Sequence, residues 1–347
     1  MKAAVLYGPY DIRIEDVPTP ICKATEILVK IQASSICPTD TRKYTGLSVL
    51  KEPLIVGHEV SGIIQEKGEL VNNVQVGDRV VLDSAIYCYT CHYCRKGMFN
   101  YCLNAKGIGG GGEGIEKVNG GFAEYIIVPS LNAHLIGNSP FEEACLAEPF
   151  SAAIKSVHDC GVKDGNTVVV MGAGPIGLMQ LAYLKFIGAR VIVSEPIEFR
   201  RKIAEKYGAD LVINPREEDL KKKVMEETDN RGADAILVTI GGSAEAYATV
   251  QALEFVGKGG YINIFAGTYP ETNIGMNPNK IHYNEIKITG TFGHTPFTFS
   301  KAVELITSKK IDVKPLITHV FPLEKIKEAF ETSIKQKESA LKVIVKP

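Results

Sequence analysis

The 347-residue sequence predicts an α/β protein that combines a parallel, doubly wound sheet with a smaller, barrel-like β domain. The second half of the chain alternates strand-like and helical runs, an order typical of a parallel sheet with helices on both faces. The first part instead has short strands separated by turns. The apolar fraction of 45% and the charged fraction of 23% are those of an ordinary globular protein.

The parallel sheet is predicted to begin at residues 167–171, where a run of β-branched and apolar residues makes a buried strand. A helix over 175–186 follows and is stopped by Gly188, and a second strand over 190–194 ends on Glu195. Three glycines in the spacing G-x-G-x-x-G join the first strand to the helix. Strand, glycine turn, helix, strand and acidic residue therefore occur in the order of a dinucleotide-binding unit.

Each glycine of that turn has a separate task. Gly172 permits the tight turn, Gly174 lets the backbone approach a pyrophosphate, and Gly177 lets the helix pack closely on the strand. The helix start, with Pro175 and Ile176, directs unpaired N–H groups and the positive end of the helix dipole toward the phosphates. The turn therefore predicts a cofactor site; an ordinary turn in an α/β domain is the alternative.

Glu195 indicates which dinucleotide binds. Its carboxylate can accept hydrogen bonds from both ribose hydroxyls of the adenosine half and would repel the 2′-phosphate of NADP. Arg200 and Arg201 follow closely, and they either soften this preference or lie on a solvated helix face. We therefore predict NAD as the cofactor, with NADP less favoured.

The elements on both sides of this unit define two domains. Further helices are predicted over 198–207, 217–228 and 244–255, and further strands over 211–214, 235–239 and 260–266. Strands are also predicted over 2–7, 26–33 and 122–129, with a helix over 142–157. From residue 287 two strands flank two helices, and we assign this tail to the first domain. The predicted domains are 1–150 with 287–347, and 151–286.

Four of the eight cysteines follow the spacing C-x2-C-x2-C-x7-C; they are Cys88, Cys91, Cys94 and Cys102. Four thiolates this close in sequence can surround one tetrahedral ion, and Zn²⁺ with four sulfur ligands is a closed structural site. Four unmetallated thiols and an iron–sulfur cluster are the alternatives. Because no secretion signal precedes them, metal explains these cysteines better than disulfides do.

Charge and hydropathy limit the possible partners. The net charge of −1 gives no reason to expect nucleic acid or an anionic membrane. No apolar run approaches the roughly 20 residues of a membrane span. The N-terminus lacks the apolar core of a signal peptide, so we expect a cytoplasmic protein. Residues 107–121 are glycine-rich and are predicted to form a flexible surface loop; a phosphate-binding loop is the alternative, but no helix follows.

With these motifs in view, essentially the whole sequence resembles the zinc-containing medium-chain alcohol dehydrogenases. The motifs are Cys37-x-Thr39-Asp40, Gly57-His58-Glu59 with Gly62, Gly68 and Val71 after it, the four cysteines, Leu146-Ala147-Glu148-Pro149, and the glycine turn. Within the family, Glu148 and residues 313–323 are similar to the polyol (sorbitol or L-iditol) and threonine dehydrogenase branch. The resemblance implies a GroES-like β domain, split in sequence, together with a Rossmann domain.

The resemblance also implies a catalytic zinc, and therefore two zinc ions per chain. Its ligands would be Cys37, His58 and Glu59, with Glu148 binding directly or through water. A thiolate, an imidazole and carboxylates suit Zn²⁺, and an open position takes water or substrate. For His58 alone, a buried histidine with satisfied hydrogen bonds is the alternative. Cys145 is the competing ligand, and its other interpretation is a small buried hydrophobe.

The implied reaction is hydride transfer between an alcohol and nicotinamide, with Lewis-acid activation of the hydroxyl. The family passes the proton outward through a hydroxyl two residues after the cysteine, here Thr39, and Asp40 would orient the local backbone. Relatives often carry a histidine where this chain has Arg42, which cannot shuttle a proton near neutral pH. Arg42 either holds a carboxylate or phosphate of the substrate or lies on the surface.

Three functions are compatible with these residues. The leading hypothesis is an NAD- and zinc-dependent dehydrogenase of a small-molecule secondary alcohol, either a polyol or a sugar-derived substrate. L-threonine 3-dehydrogenase is the alternative, which the missing histidine disfavours. A catalytically silent dinucleotide-binding protein is the second alternative, which the complete set of candidate zinc ligands disfavours. The family forms homodimers or homotetramers, and the resemblance places the candidate interface on strand 260–266 at the sheet edge.

Overall fold

A computed structural model describes residues 1–50, 52–110 and 115–347. The chain divides into two compact units, one of Met1–Ser151 with His294–Pro347 and one of Ala152–Gly293. The chain therefore leaves the first unit next to the predicted boundary at residue 150. It returns at His294, later than the predicted residue 287.

Strands dominate the chain up to Leu135, and helices and strands largely alternate beyond it. The strands are β1 (Lys2–Gly8), β2 (Asp11–Asp16), β3 (Glu26–Ser35), β4 (Leu54–Ile55), β5 (Glu59–Lys67), β6 (Arg79–Leu82), β7 (Ala85–Ile86), β8 (Lys106–Ile108), β9 (Glu116–Val118), β10 (Tyr125–Pro129), β11 (Ala133–Leu135), β12 (Thr167–Met171), β13 (Arg190–Ser194), β14 (Leu211–Ile213), β15 (Ala233–Val238), β16 (Val256–Ile264), β17 (Lys287–Gly290), β18 (Ile317–Pro322) and β19 (Lys342–Lys346). The α-helices are α1 (Pro38–Tyr44), α2 (His92–Arg95), α3 (Phe141–Ala144), α4 (Ala147–Asp159), α5 (Pro175–Phe186), α6 (Glu198–Lys206), α7 (Leu220–Glu227), α8 (Ser243–Ala252), α9 (Pro278–Tyr283), α10 (Pro296–Thr307) and α11 (Ile326–Lys335).

The first unit is built around β3, which pairs antiparallel with β5, β10 and β19. The sheet runs in the order β11-β6-β5-β3-β19-β18, and β18 and β19 are parallel. Alternate residues of β3, among them Ile27, Val29 and Ile31, are buried in its core. The C-terminal strand β19 pairs next to the end of β3, with Ile344 opposite Ser35. This pairing brings the C-terminal segment close to Cys37.

The described part of the glycine-rich segment is not a flexible surface loop, so that prediction was wrong. β8 and β9 pair in parallel, and Gly109 and Gly120 are buried. A Cβ at either glycine would lie 2.2 Å from the carbonyl oxygen of Gly57. Glycine is required there because two backbone segments pack against the turn at Gly57. Residues 111–114 of the predicted loop lie outside the described residues.

The second unit confirms the predicted parallel, doubly wound sheet. Its six strands run in the order β14-β13-β12-β15-β16-β17, and every neighbouring pair is parallel. The predicted helix over 175–186 and the strands over 167–171 and 190–194 have the same bounds in the structure. Met171 lies opposite Ser194, so the carboxyl ends of β12 and β13 place Gly172 and Glu195 at one edge of the sheet.

Strand β17 corrects two predictions. It pairs in parallel with β16 and is the sixth strand of this sheet, although the sequence assigned it to the first domain. The predicted strand 260–266 corresponds to β16, which lies between β15 and β17. It is therefore not at the sheet edge, where the prediction placed the candidate interface. A short run of β-branched residues indicates a strand that pairs in a sheet, but it does not identify the strand with which it pairs.

The predicted helix over 142–157 is two helices. α3 ends at Ala144 and α4 begins at Ala147. Pro149 explains the break, because it has no N–H to donate to the carbonyl of Cys145 and its ring would clash with that carbonyl in a continuous helix. The break places Glu148 in the first turn of α4.

Candidate metal and cofactor sites

Cys37 is held at the start of α1 by a capping box. Its Sγ accepts a hydrogen bond from Thr39 N at 3.5 Å, and Asp40 Oδ2 accepts from Cys37 N at 3.0 Å. Pro38 occupies the first turn, where its missing N–H costs nothing. The sequence therefore fixes both the helix start and the direction of the thiol.

His58 and Glu59 follow a turn that only glycine accommodates well. Gly57 has φ +94°, and a Cβ there would lie 3.0 Å from the ring of Phe122. The buried carboxylate of Asp40 accepts a hydrogen bond from Gly57 N at 3.3 Å. Asp40 thus connects the turn before β5 to the start of α1, which agrees with its predicted role in orienting the backbone.

The candidate ligand atoms of Cys37, His58 and Glu59 all lie within 4.8 Å of one another. His58 and Glu59 are buried, and Glu59 Oε1 has no hydrogen-bond partner among the described residues, while His58 Nδ1 has the Asp40 carboxylate nearby without hydrogen-bond alignment. Buried polar atoms without partners are costly unless something binds them. A thiolate, an imidazole and a carboxylate at this spacing are a donor set that fits Zn²⁺.

Asp40 also acts on the ring of His58, with Oδ1 lying 3.3 Å from Nδ1. Burial alone would lower the pKa of His58, but the charges of Asp40 and Cys37 raise it well above its ordinary value. A cation at this position is therefore electrostatically favoured, whether it is a proton or a metal ion. A bound metal would compete with the proton for the ring.

Lys342 is a buried charge that the motif-based prediction missed. It projects from β19, and its Nζ lies 2.5 Å from Glu59 Oε2, without hydrogen-bond alignment, and donates to Ile36 O at 3.2 Å. Burial would lower the pKa of Lys342, but Glu59 and Cys37 raise it. The signal in the sequence was a lysine beside the apolar run Val343–Val345.

Among the described residues, Glu148 is not part of the group whose ligand atoms lie within 4.8 Å of one another, which consists of Cys37, His58 and Glu59. Its Oε1 accepts a hydrogen bond from Ser84 Oγ at 2.7 Å and lies 3.7 Å from His294 Nδ1. Asp83 in turn lies against the other nitrogen of His294 at 2.7 Å. Sequence reasoning did not find Asp83, Ser84 or His294, because none of them belongs to a recognisable motif.

Cys145 is separate from the donors as well. Its side chain is fully buried, and Sγ donates to the carbonyl of Glu142 at 3.2 Å. Burial and then the charge of Glu59 raise the pKa of the Cys145 thiol well above its ordinary value. The thiol thus has the surroundings of a small buried hydrophobe rather than of a ligand.

Thr39 and Arg42 are hydrogen-bonded to each other on α1. Arg42 Nη2 donates to Thr39 Oγ1 at 3.1 Å, and both residues are half-buried. The guanidinium therefore contacts the hydroxyl through which the family is expected to pass its proton. Arg42 is not a detached surface residue.

The ligand atoms of Cys88, Cys91, Cys94 and Cys102 also lie within 4.8 Å of one another, and all eight cysteines are free thiols. Backbone N–H groups point at the sulfurs, with Cys91 N 3.4 Å from Cys88 Sγ. Backbone N–H groups lower the pKa of Cys88 to about 5, which favours the thiolate that metals bind, whereas burial raises the pKa of Cys94 to about 12. Sulfur ligands around one zinc lie about 3.8 Å apart, so the group fits the predicted structural zinc.

The glycine turn of the second unit has the backbone that its sequence requires. Gly172 has φ +100°, and a Cβ on Gly177 would lie 1.9 Å from the carbonyl oxygen of Gly172. A Cβ on Gly174, in contrast, would meet nothing within 4 Å. Gly174 caps α5, and Pro175 and Ile176 form its first turn. Of the three glycines in this turn, only Gly174 therefore leaves space that a ligand could fill.

Glu195 lies beside this turn and is buried. Its two carboxylate oxygens accept hydrogen bonds from Ala173 N at 2.7 Å and from Ile197 N at 2.9 Å. Arg200 lies 4.0 Å from Glu195 Oε2. Arg201 donates to the carbonyls of Glu195 and Pro196, so it is not merely part of a solvated helix face.

Comparison with known proteins identifies the family. Residues 23–138 match the family described as Alcohol dehydrogenase GroES-like domain, and residues 175–308 match Zinc-binding dehydrogenase. The chain is 35% identical to sorbitol dehydrogenase of Bacillus subtilis (strain 168), covering 100% of this chain and 97% of the relative. It is 39% identical to L-threonine 3-dehydrogenase of Pyrococcus abyssi, covering 95% and 93%.

A crystal structure of a Sinorhizobium meliloti 1021 protein with NADP bound superposes with a TM-score of 0.91 at 28% identity, covering 100% of this chain and 99% of that one. No helix in the described ranges is long and apolar enough to cross a membrane. These findings confirm the resemblance inferred from the motifs and the predicted GroES-like and Rossmann fold. The chain belongs to the zinc-dependent medium-chain alcohol dehydrogenases and is an oxidoreductase.

Proposed function

We propose that this protein oxidises a secondary alcohol of the polyol or sugar-derived class, with NAD as the preferred cofactor and two zinc ions per chain. The observation that carries the proposal is the Cys37, His58 and Glu59 group, whose ligand atoms lie within 4.8 Å and include buried atoms without partners. Zinc at these donors would supply Lewis acidity to the alcohol hydroxyl, and a nicotinamide ring would supply the hydride acceptor.

Thr39 is the residue that we assign to the substrate proton. Because its Oγ1 accepts a hydrogen bond from Arg42, its own hydrogen can be donated elsewhere. The permanent charge of Arg42 would stabilise negative charge that develops on this oxygen. Arg42 cannot itself carry the proton onward, so the proton would leave from Thr39 by another acceptor.

The cofactor preference rests on Glu195. Its buried carboxylate is held in place by two backbone N–H groups, beside the open face of Gly174. A fixed negative charge there favours ribose hydroxyls over a 2′-phosphate. Arg200, 4.0 Å from Glu195 Oε2, and Arg201, which bonds to the carbonyl of Glu195, are nearby charges that favour phosphate, and a related solved structure has NADP bound. We place NAD first because the carboxylate is more buried than either arginine.

L-threonine is the second candidate substrate, and a specific observation favours it. The chain is 39% identical to a threonine dehydrogenase, a higher value than its 35% identity to a sorbitol dehydrogenase. Arg42, close to Thr39, could also hold the carboxylate of an amino acid. The same argument applies to a sugar phosphate, so anionic substrates belong in the first assay.

The experiment is a substrate panel with metal counting in the same preparation. Reduction of NAD⁺ and NADP⁺ is followed with sorbitol and other polyols, sugar phosphates, L-threonine and simple secondary alcohols. We expect turnover of a polyol with NAD⁺ at two zinc ions per chain. Faster turnover of L-threonine would select the second candidate. One zinc per chain without any turnover would overturn the catalytic role and leave a dinucleotide-binding protein.

We further propose a homodimer or homotetramer. Because β17 is the edge strand of the second unit's sheet, its outer edge is the position at which a second copy would extend the sheet. Light scattering on the purified protein tests the assembly. A monomer at micromolar concentration would contradict it.

A further inference from the structure

Three polar residues, Asp83, Ser84 and His294, surround Glu148. No motif or comparison assigns a role to these three residues. Asp83 and Ser84 follow β6, and His294 precedes α10. Asp83 and His294 are 3% and 4% exposed. Burying a carboxylate and an imidazole is costly, and the contact between Asp83 and His294 offsets part of that cost.

His294 is contacted through its ring and through its backbone. Nε2 lies 2.7 Å from Asp83 Oδ1, and the backbone carbonyl of His294 accepts from Tyr87 Oη at 3.1 Å. The ring packs on Phe299 at 5.4 Å between centroids. With Nε2 against Asp83, the other ring nitrogen, Nδ1, lies 3.7 Å from Glu148 Oε1.

Asp83 is itself fixed by the backbone. Its Oδ1 accepts from Ala85 N at 2.9 Å, and its main-chain N–H and C=O both bond to Asn132, at 2.8 and 2.9 Å. The support for Glu148 thus runs from a rigid turn through Asp83 to His294. Ser84, on the same turn, completes it by donating to Glu148 Oε1 at 2.7 Å.

Glu148 lies near Glu59 through the sheet of the first unit. Val60 is opposite Leu82, so Glu59 at the start of β5 lies next to the turn of Asp83 and Ser84, and Ser84 contacts Glu148. A carboxylate beside a metal site needs outer partners to fix its direction, and such partners typically change metal affinity or activity by about 10–100-fold when removed.

We propose that Asp83, Ser84 and His294 are positioning residues that hold the Glu148 carboxylate beside Cys37, His58 and Glu59 and thereby set the affinity and geometry of the metal bound there. This inference rests on the proposed function. It concerns Glu148 alone and leaves the four-cysteine group unaffected.

The first test removes the contact between His294 and Glu148 and keeps the contact between residue 294 and Asp83. His294→Gln retains a donor near the Nε2 position for Asp83 but removes Nδ1 beside Glu148. His134→Gln is the matched control, because His134 packs on the same Phe299 ring, at 4.8 Å, and has no hydrogen bond or ion pair with Glu148 in the described part of the chain. Zinc affinity is measured by competition with a chelator, and metal geometry by the visible absorption of the Co²⁺-substituted protein.

We expect His294→Gln to weaken zinc binding at the Cys37, His58 and Glu59 site about 10–100-fold and to shift the Co²⁺ absorption bands. His134→Gln should do neither. Ser84→Ala should weaken the same site and has little effect on packing, so it decides the question if His294→Gln folds poorly. The four-cysteine zinc serves as the internal standard for folding in every variant.

A double-variant cycle tests whether His294 acts through Glu148. In a Glu148→Gln background, His294→Gln should have almost no further effect on zinc affinity. An equal loss in both backgrounds would overturn the inference, as would unchanged affinity and Co²⁺ bands in both Ser84→Ala and His294→Gln. If the unaltered protein binds only one zinc, the proposed function fails and the inference fails with it, a pattern distinct from failure confined to the variants.

Discussion

The two groups of candidate metal donors in the first unit are assembled in different ways. The four cysteines come from one continuous segment, Cys88 to Cys102, around the short helix α2. Cys37 caps α1, whereas His58 precedes β5 and Glu59 begins it, and the charges beside them come from Asp40 and Lys342. A local group needs only its own turns, but a dispersed group needs the complete unit to be folded.

The difference extends to chemistry. Four like ligands satisfy one another around a single ion and leave no position for a substrate. The dispersed group has three unlike donors, buried atoms without partners, and fixed charges of both signs nearby. A dispersed group can therefore combine metal binding with a reaction, and we expect its variants to lose activity while variants of the local group lose stability.

The largest effect should come from Cys37→Ser, which replaces a soft thiolate by a poorly binding hydroxyl of similar size. Loss of Lewis-acid assistance worth several kcal/mol corresponds to a fall in turnover of about 10³-fold or more. Zinc should fall from two ions to one per chain, with little change in the thermal midpoint. A variant that keeps both its zinc ions and its turnover would remove Cys37 from the site.

Cys94→Ser should show the opposite pattern. We expect loss of the other zinc and a decrease in the free energy of unfolding of about 3 kcal/mol or more, because a structural metal contributes directly to folding. Thermal denaturation with and without a chelator measures the effect. Residual turnover per folded molecule should stay near the original value; loss of turnover without loss of stability would erase the distinction between the two groups.

In the glycine turn of the second unit, effects on stability and on cofactor binding can be separated in the same way, within one motif. Gly177→Ala should destabilise this unit by about 2 kcal/mol, because its Cβ would lie 1.9 Å from a backbone oxygen. Gly174→Ala meets nothing within 4 Å, so its stability should be unchanged while the KM for NAD⁺ rises about tenfold. Equal cofactor affinity in Gly174→Ala and the parent would place the cofactor elsewhere.

The smallest expected effect concerns acid stability away from both metal groups. Burial alone would raise the pKa of Asp210, but hydrogen bonds from Lys185 and Val191 N lower it below its ordinary value. The resulting stabilisation, about 1 kcal/mol or less for a partly exposed pair, is complete above the unfolded-state pKa of about 3.9. It is lost as the pH falls through the lower folded-state pKa.

Asp210→Asn should therefore lower stability at pH 7 slightly and leave it unchanged near pH 2. Urea denaturation at both pH values measures the difference. Zinc release should occur at a higher pH than this titration, because protons compete for thiolates and imidazole. Coincidence of zinc release with the Asp210 transition would show that acid acts on the fold rather than on the donors.

The sequence alone determined the features that are local. The glycine turn, the four-cysteine spacing and the capping residues around Cys37 each follow from residues that are neighbours in the chain, where backbone geometry limits the possible conformations. The strand and helix over Thr167–Met171 and Pro175–Phe186 were predicted with the bounds that the structure has. The family, too, followed from such local motifs.

Tertiary structure alone decided which distant residues meet. The pairing of β17 with β16, the packing of Gly109 and Gly120 on Gly57, and the contact of Lys342 with Glu59 each join segments far apart in sequence. The positions of Asp83 and His294 around Glu148 belong to the same class. Side-chain type limits what a residue can do, but only the closed fold sets its partners, because burial, charge and distance exist only after distant segments have packed.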